Sequence, residues 1–138
     1  MTTDRDELIS RLRSAIAAGP PLRLVVLFGS RARGTAREES DADVAIFPEG
    51  VLSLEAELKL AAALSGASRL EVDLVRLDRA DPLLAREAAR TGIAVFEARP
   101  GEFSAFRANA ISAWLDFDET IAPHRARFLA RIAAGAVR

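Results

Sequence analysis

Apolar side chains recur at two different spacings along the first third of the chain. Over residues 4–18 they recur every three or four positions, which predicts a helix. Residues 22–28 form a continuous apolar run of branched side chains, which is typical of a buried strand. Residues 29–40 are polar and contain two glycines, so they predict an irregular connection to a second strand at 41–47. This connection is too short for a helical crossover, so we expect the two strands to pair antiparallel.

The same spacings predict five further elements, and turn residues mark their ends. Ser53 is expected to cap a helix that Gly66 ends. Pro123 has no amide hydrogen, so a break or kink is expected near residues 117–122. The predicted elements are a helix at 53–65, a strand at 69–77, a helix at 82–90, a strand at 93–98 and a helical tail at 102–135.

This order of elements predicts an α/β (α+β) fold with a mixed sheet of about four strands, flanked by helices and followed by a C-terminal helical extension. The chain has 138 residues, which is the size of one domain, so residues 1–138 are expected to fold as a unit.

The composition of the chain argues against several kinds of partner and site. There are 19 basic and 20 acidic residues, a net charge of −1, which makes nucleic acid an unlikely partner. Cysteine is absent, so disulfides, thiolate metal sites and a cysteine nucleophile are excluded. No apolar run approaches the ~20 residues of a membrane span, and the first residues lack the features of a secretory signal. A cytoplasmic protein is therefore expected, with no membrane partner.

Candidate chemistry begins at the end of the first predicted strand. Gly29 lets backbone approach a ligand closely, and the Ser30 hydroxyl with its neighbouring amides can hold a phosphate. Asp41 and Asp43 are two residues apart, so on a strand their carboxylates point to one face. Two adjacent carboxylates repel unless a cation lies between them, and oxygen ligands suit Mg²⁺.

A third acid lies in the third predicted strand. Asp73 stands between Val72 and Leu74, and a carboxylate among apolar neighbours needs a partner or a metal. Three carboxylates could hold two Mg²⁺ ions for phosphoryl transfer. A salt bridge from Asp73 to Arg69 or Arg76 is an alternative interpretation. Whether Glu71, which shares the face of Asp73, joins or replaces it as a ligand stays open.

Gly29-Ser30, ten residues and then Asp41-x-Asp43 resemble the signature of the DNA polymerase beta-like nucleotidyltransferases. The segment FGSRARGTAREESDADVAIF resembles more narrowly the minimal nucleotidyltransferases, or MNT proteins. The resemblance covers about residues 22–98, which would be the catalytic core, and leaves a helical tail at about 102–135. Many such proteins are antitoxins encoded beside a HEPN-domain ribonuclease toxin.

The resemblance implies that the chain binds a HEPN toxin and transfers AMP from ATP to a hydroxyl of it, expected to be a tyrosine. It assigns Gly29 and Ser30 to the triphosphate. It makes Asp41, Asp43 and Asp73 the catalytic and metal-binding residues. Assistance to the phosphates is expected from nearby Arg31 and Arg33, with Ser40 in the same loop fixing its shape. Homo- or hetero-oligomers are common in such systems.

Two other functions stay open at this stage. The chain could neutralise a toxin by binding alone, through its tail, which is rich in alanine and phenylalanine. It could also be a small-molecule adenylyltransferase of the aminoglycoside type, although only about 35 residues remain for an acceptor domain. His124, the single histidine, lies in the tail with no acidic partner pattern and is not expected to be catalytic.

Overall fold

The computed structural model describes residues 4–37 and 40–136, and in these ranges the chain alternates helices and strands around one sheet. In chain order the elements are α1 (Asp4–Ala17), β1 (Leu22–Phe28), α2 (Ser30–Arg33), β2 (Ala42–Pro48), α3 (Leu54–Ser68), β3 (Val72–Arg76), α4 (Pro82–Thr91), β4 (Ile93–Glu97) and α5 (Glu102–Ala136).

The four strands are ordered β3-β2-β1-β4. β1 pairs antiparallel with both β2 and β4, whereas β2 and β3 are parallel. The mixed sheet and the antiparallel pairing of the first two strands are therefore confirmed. The parallel pair is connected through α3, as a parallel crossover requires.

Each strand of the central pair sends alternate side chains to opposite faces of the sheet. Val44 and Ile46 of β2 pack on one face with leucines of α1 and α3. Ala45 lies on the other face, in a second core with α4 and with Phe103 and Phe106 of α5. The central strands are thus buried on both sides, which leaves their ends as the places where polar side chains can gather.

Helix α3 begins where the sequence predicts and ends later. The Ser53 hydroxyl accepts the Ala56 N–H at 3.1 Å, so the predicted N-cap is confirmed. The expected end at Gly66 is wrong, because the helix continues to Ser68 and ends at Arg69 with a φ of 61°. Ser68 is buried and its hydroxyl donates to the Leu64 carbonyl at 2.7 Å, so burial and a hydrogen bond within the helix hold the last turn despite the glycine.

The break expected near residues 117–122 is also wrong. Helix α5 runs without interruption from Glu102 to Ala136 with Pro123 inside it. Arg125 donates to Asp118 at 3.2 Å and spans the proline, and Thr120 donates to the Asp116 carbonyl at 2.9 Å. The missing amide hydrogen removes one helical bond, and these neighbouring contacts keep the turns around it together.

The polar connection after β1 is more regular than its composition indicates. Its first residues form the single-turn helix α2, between Gly29 and Gly34. The Ala32 methyl of this helix is buried against the core that holds α1 and α3. One apolar residue among polar ones gives no periodic signal, so the sequence predicted only a loop here.

Two glycines should respond oppositely to alanine. A Cβ at Gly92 would lie inside contact distance of the Ala88 carbonyl oxygen and the Val26 side chain, whereas nothing lies within 4 Å of a Cβ at Gly66. We expect Gly92→Ala to lower the free energy of unfolding by about 1–3 kcal/mol through overpacking. Gly66→Ala, in an exposed helical position, should raise it by about 0.5–1 kcal/mol. Urea unfolding of both variants checks this, and equal effects would contradict the packing described around Gly92.

Candidate active site

The candidate acids come together at one edge of the sheet, where β1 ends and β2 and β3 begin. Asp43 is the register partner of Phe28, the last residue of β1, and of Asp73 in β3. Neighbouring strands lie about 4.8 Å apart, so this parallel register sets the two aspartates side by side. Both are on the sheet face that packs against α4 and α5, because Ala45 and Val75, two residues on, belong to that core.

The third candidate acid, Asp41, differs from expectation in its position. Asp41 precedes β2, which starts at Ala42, so it extends the edge from the loop and not from a strand. Asp41 and Asp73 are exposed, whereas Asp43 is half-buried. Two of the three acids are therefore accessible to solvent, and Asp43 lies deeper, between the strand ends.

Electrostatics single out Asp43. Burial raises the pKa of its carboxyl above the ordinary value, and the negative charges of Asp73 and Asp41 raise it further, while Arg33 lowers it. Like charges and partial burial both disfavour the ionised form, which a bound cation would favour. Among the described residues, Asp73, Asp41 and Arg33 are thus the charges that shift the pKa of the Asp43 carboxyl.

Asp73 is the acid in register with Asp43, whereas Arg76 and Glu71 make other contacts. Arg76, one proposed salt-bridge partner of Asp73, instead pairs with Asp78 at 2.6 Å and Glu57 at 3.5 Å. Glu71 is exposed, its carbonyl accepts the Ala42 N–H at 2.9 Å, and its charge is not among those that shift the pKa of Asp43.

Gly29 forms the turn that faces the acids. Its φ of 74° lies in the region that favours glycine, and a Cβ there would overlap the Asp43 carboxylate. Its carbonyl accepts the Arg33 N–H at 3.1 Å, which starts α2 with Ser30 as the first residue. A side chain other than hydrogen would separate β1 from the acid beside it, so the close approach itself requires glycine.

Of the three remaining candidates, Arg31 and Ser40 contact the loop before β2, and Arg33 acts on Asp43. Arg31 donates to the Ser40 carbonyl from Nη2 at 2.7 Å, and the Ser40 hydroxyl accepts the Arg37 N–H at 2.9 Å. Arg31 and Ser40 therefore hold the loop that leads into β2. Arg33, by contrast, is exposed, and its charge acts on Asp43.

Helix α4 contributes two side chains that the sequence reasoning missed. Glu87 Oε1 lies 3.8 Å from Arg33 Nη1, and the Thr91 hydroxyl accepts the Gly29 N–H at 3.2 Å. These residues are four apart and so share one face of the helix. Neither belongs to a sequence motif, and only the packing of α4 on the sheet brings them here.

The metal-binding capacity of this edge is incomplete by itself. In residues 4–37 and 40–136, no three histidine, aspartate or glutamate side chains are grouped as a ready-made metal site. The carboxylates of Asp43, Asp73 and Asp41 are oxygen donors of the kind that Mg²⁺ prefers, and they could hold it together with ligands from a second molecule. Phosphate oxygens are suitable ligands for those positions.

The family model for polymerase beta nucleotidyltransferases matches residues 11–100, which include the whole of this edge. The chain belongs to this family. The match covers all four strands and the helices between them, so the fold predicted from the sequence is confirmed as a nucleotidyltransferase fold.

Comparison with individual proteins narrows the family to relatives with named activities and partners. The chain is 35% identical over 89 residues to protein adenylyltransferase MntA of Shewanella oneidensis, a region that is 64% of this chain and spans 62% of the length of that relative. It is similar to a chain of a crystallised toxin–antitoxin with AMP-PNP, with 27% identity, coverage of 92% and 99% of the two chains and a TM-score of 0.74. It is also similar, at 25% identity and a TM-score of 0.68 over 91% and 96% of the chains, to one from a complex of a tri-AMPylated Shewanella oneidensis HEPN toxin with an MNT antitoxin.

No helix in the described ranges is both long and apolar enough to cross a membrane.

The contact between Gly29 and Asp43 predicts unequal costs of alanine at two similar glycines. Gly29 and Gly34 have φ of 74° and 76°, but a Cβ at Gly34 meets nothing within 4 Å. Alanine at Gly34 bears the strain of the left-handed helical region, about 1–2 kcal/mol. Alanine at Gly29 bears at least as much, because its ψ of −153° lies in a region essentially restricted to glycine. In Gly29→Ala the free energy of unfolding should fall by a further ~1–3 kcal/mol, because the added methyl displaces the Asp43 carboxylate. Chemical unfolding measures the difference, and the same cost at both sites would show that the turn does not contact Asp43.

Proposed function

We propose that this chain is a Mg²⁺-dependent nucleotidyltransferase that acts as an antitoxin, transferring AMP from ATP to a hydroxyl, expected to be a tyrosine, of a HEPN ribonuclease toxin. The observation that carries the proposal is the pair Asp43 and Asp73, set side by side next to the Gly29 turn. Similarity over nine-tenths of the chain to a toxin–antitoxin crystallised with AMP-PNP supports ATP as donor and a toxin as partner.

The acids have distinct proposed roles. Asp41 and Asp43 would bind both Mg²⁺ ions, and Asp73 would bind one of them. When bound, Mg²⁺ supplies the positive charge that activates the attacking hydroxyl and stabilises the pyrophosphate leaving group. Half-burial of Asp43 gives the ions a site of lowered dielectric, where their attraction to phosphate is stronger than in water.

The turn after β1 would hold the triphosphate. Gly29 lets the phosphates approach the backbone, and the half-buried Ser30 offers a hydroxyl beside them. Arg33 is placed to pair with phosphate oxygens, because its charge already acts on Asp43 and its contact with Glu87 is long, at 3.8 Å. Arg31 and Ser40 would assist by keeping the loop before β2 in place, since their contacts are with that loop.

The acceptor would come from another protein. The chain contains no tyrosine, so a tyrosine acceptor lies elsewhere. Asp41 and Asp73 are exposed, so a hydroxyl from outside can reach the acids without a rearrangement of the sheet. In this proposal residues 1–138 act as a single domain in the cytoplasm, with a catalytic core at about 22–98 and a tail at about 102–135.

The tail offers a second candidate function, neutralisation by binding. The outer segment of α5, residues 118–136, carries Phe128, Leu129 and Ile132 with 58%, 57% and 52% of their surfaces exposed. Phe128 and Ile132 follow Ile121 at helical spacing, so one apolar stripe continues along the exposed helix. An exposed apolar stripe of this kind favours a protein partner that covers it.

Replacement of Asp43 separates catalysis from binding. We expect Asp43→Asn to lower the rate of AMP transfer by several orders of magnitude, because it removes one ligand charge from the metal site. The free energy of unfolding should not fall, since the substitution also removes a charge that burial, Asp73 and Asp41 all disfavour. The measurement uses ATP labelled on the α-phosphate, Mg²⁺ and a purified HEPN toxin, followed by mass spectrometry of the toxin.

Two controls sharpen this assay. Glu71→Gln removes the neighbouring acid and should leave the transfer rate near that of the unchanged protein. ATP labelled on the γ-phosphate should transfer nothing, because the γ-phosphate leaves with pyrophosphate. Undiminished transfer by Asp43→Asn, or the absence of transfer by the unchanged protein, would contradict the proposed activity.

The apolar stripe of α5 predicts a binding defect that is independent of the nucleotide. The double substitution Phe128→Ser and Ile132→Ser should weaken toxin binding by about tenfold or more, as loss of buried apolar anchors does. Leu58→Ser is the matched control, because Leu58 is 60% exposed on α3, which packs on the opposite face of the sheet. Calorimetry with the toxin and with AMP-PNP checks both affinities. Unchanged toxin binding by the double variant would exclude this surface as the interface.

A further inference from the structure

Thr91, the last residue of α4, links that helix to the turn at Gly29. Its hydroxyl donates to the Glu87 carbonyl at 2.9 Å and accepts the Gly29 N–H at 3.2 Å. The single hydroxyl proton is used within the helix, so the oxygen is left to serve as acceptor. The hydrogen bond joins two elements that are 62 residues apart in the chain.

Gly29 needs such a contact because its conformation is costly and its backbone is buried. Its φ of 74° and ψ of −153° lie in a region that is essentially restricted to glycine. The residue is buried, so an unpaired N–H would not find water in its place. Thr91 satisfies this donor.

The same hydrogen bond fixes the direction in which the chain leaves β1. A peptide unit is planar, so holding the Gly29 N–H also holds the plane that enters the turn. The Gly29 carbonyl is held from the other side by the Arg33 N–H at 3.1 Å. Between these two restraints lies the backbone that brings Gly29 against the Asp43 carboxylate and leads into Ser30.

We propose that Thr91 is a positioning residue for nucleotide binding, holding the Gly29–Ser30 turn through its hydroxyl in the geometry that receives the triphosphate. The inference rests on the function proposed above and extends it to a residue outside the Gly-Ser and Asp-x-Asp motifs. The hydroxyl acts on the turn and does not itself need to touch the nucleotide.

The alternative interpretation is an ordinary helical threonine whose hydroxyl only satisfies its own helix. Thr120 in α5 is such a residue, because its hydroxyl donates to the carbonyl four residues earlier at the same 2.9 Å. Thr120→Val therefore removes the same intrahelical bond, far from the turn. It is the matched control for Thr91→Val, which keeps the side-chain shape and removes the acceptor.

The test compares Thr91→Val, Thr91→Ser and Thr120→Val in the full chain. With Mg²⁺ present, Thr91→Val should weaken AMP-PNP binding by about five- to tenfold, the usual effect of one lost hydrogen bond to a buried donor. Thr91→Ser keeps the hydroxyl and should restore affinity, and Thr120→Val should bind as the unchanged protein does. In transfer assays the KM for ATP should rise in Thr91→Val while the KM for the toxin stays constant.

A second measurement follows the turn without nucleotide. The Gly29 amide should exchange with solvent faster and shift in the NMR spectrum of Thr91→Val, and should be normal in Thr91→Ser and Thr120→Val. Equal AMP-PNP affinity of Thr91→Val and the unchanged protein would overturn this inference alone. Failure of the unchanged protein to bind AMP-PNP would overturn the proposed function and this inference together.

Discussion

The parallel pairing of β2 with β3 is the constraint on which the candidate site depends. It sets Asp43 and Asp73 in register, so two negative charges face each other at the edge of a sheet whose interior is apolar. This arrangement opposes folding, since burial and like charges both raise the pKa of Asp43. The fold tolerates it because the strands behind the acids are buried on both faces and hold the register. A carboxyl whose pKa is raised by burial and like charges is typical of functional sites.

The elements around the acids hold the backbone in place and leave two of the carboxylates exposed to solvent. Gly29 allows β1 to end against the Asp43 carboxylate, and α4 holds the turn from the side through Thr91. Arg31 and Ser40 hold the loop that enters β2, so the backbone is fixed on both sides of the acids. Asp41 and Asp73 stay exposed. A rigid backbone with accessible carboxylates is the arrangement that phosphoryl transfer to an external acceptor requires.

Helix α5 divides the molecule into a part that completes the core and a part that extends from it. Phe103 and Phe106 pack under the sheet, and Arg86 of α4 lies over Trp114 with 4.8 Å to the ring centroid. Beyond these contacts the outer segment of α5 presents an apolar stripe to solvent. The acids and this stripe are formed by different elements, so the two proposed functions can be tested separately.

The sequence by itself determined the order of the elements apart from α2, the mixed sheet, and the acids that the structure brings to one place. Apolar runs and helical spacings are local properties, and Gly-Ser followed by Asp-x-Asp is a motif with fixed spacing. Glycine and proline signals were less reliable: Gly66 did not end α3, and Pro123 did not break α5, because hydrogen bonds of neighbouring side chains held both helices. Only the tertiary structure decided that Arg31 holds a loop while Arg33 acts on Asp43, and that Glu87 and Thr91 reach the site. The physical reason is that these contacts join different elements of the fold. Their meeting is set by how α2 and α4 pack on the sheet, which leaves no periodic trace in the sequence.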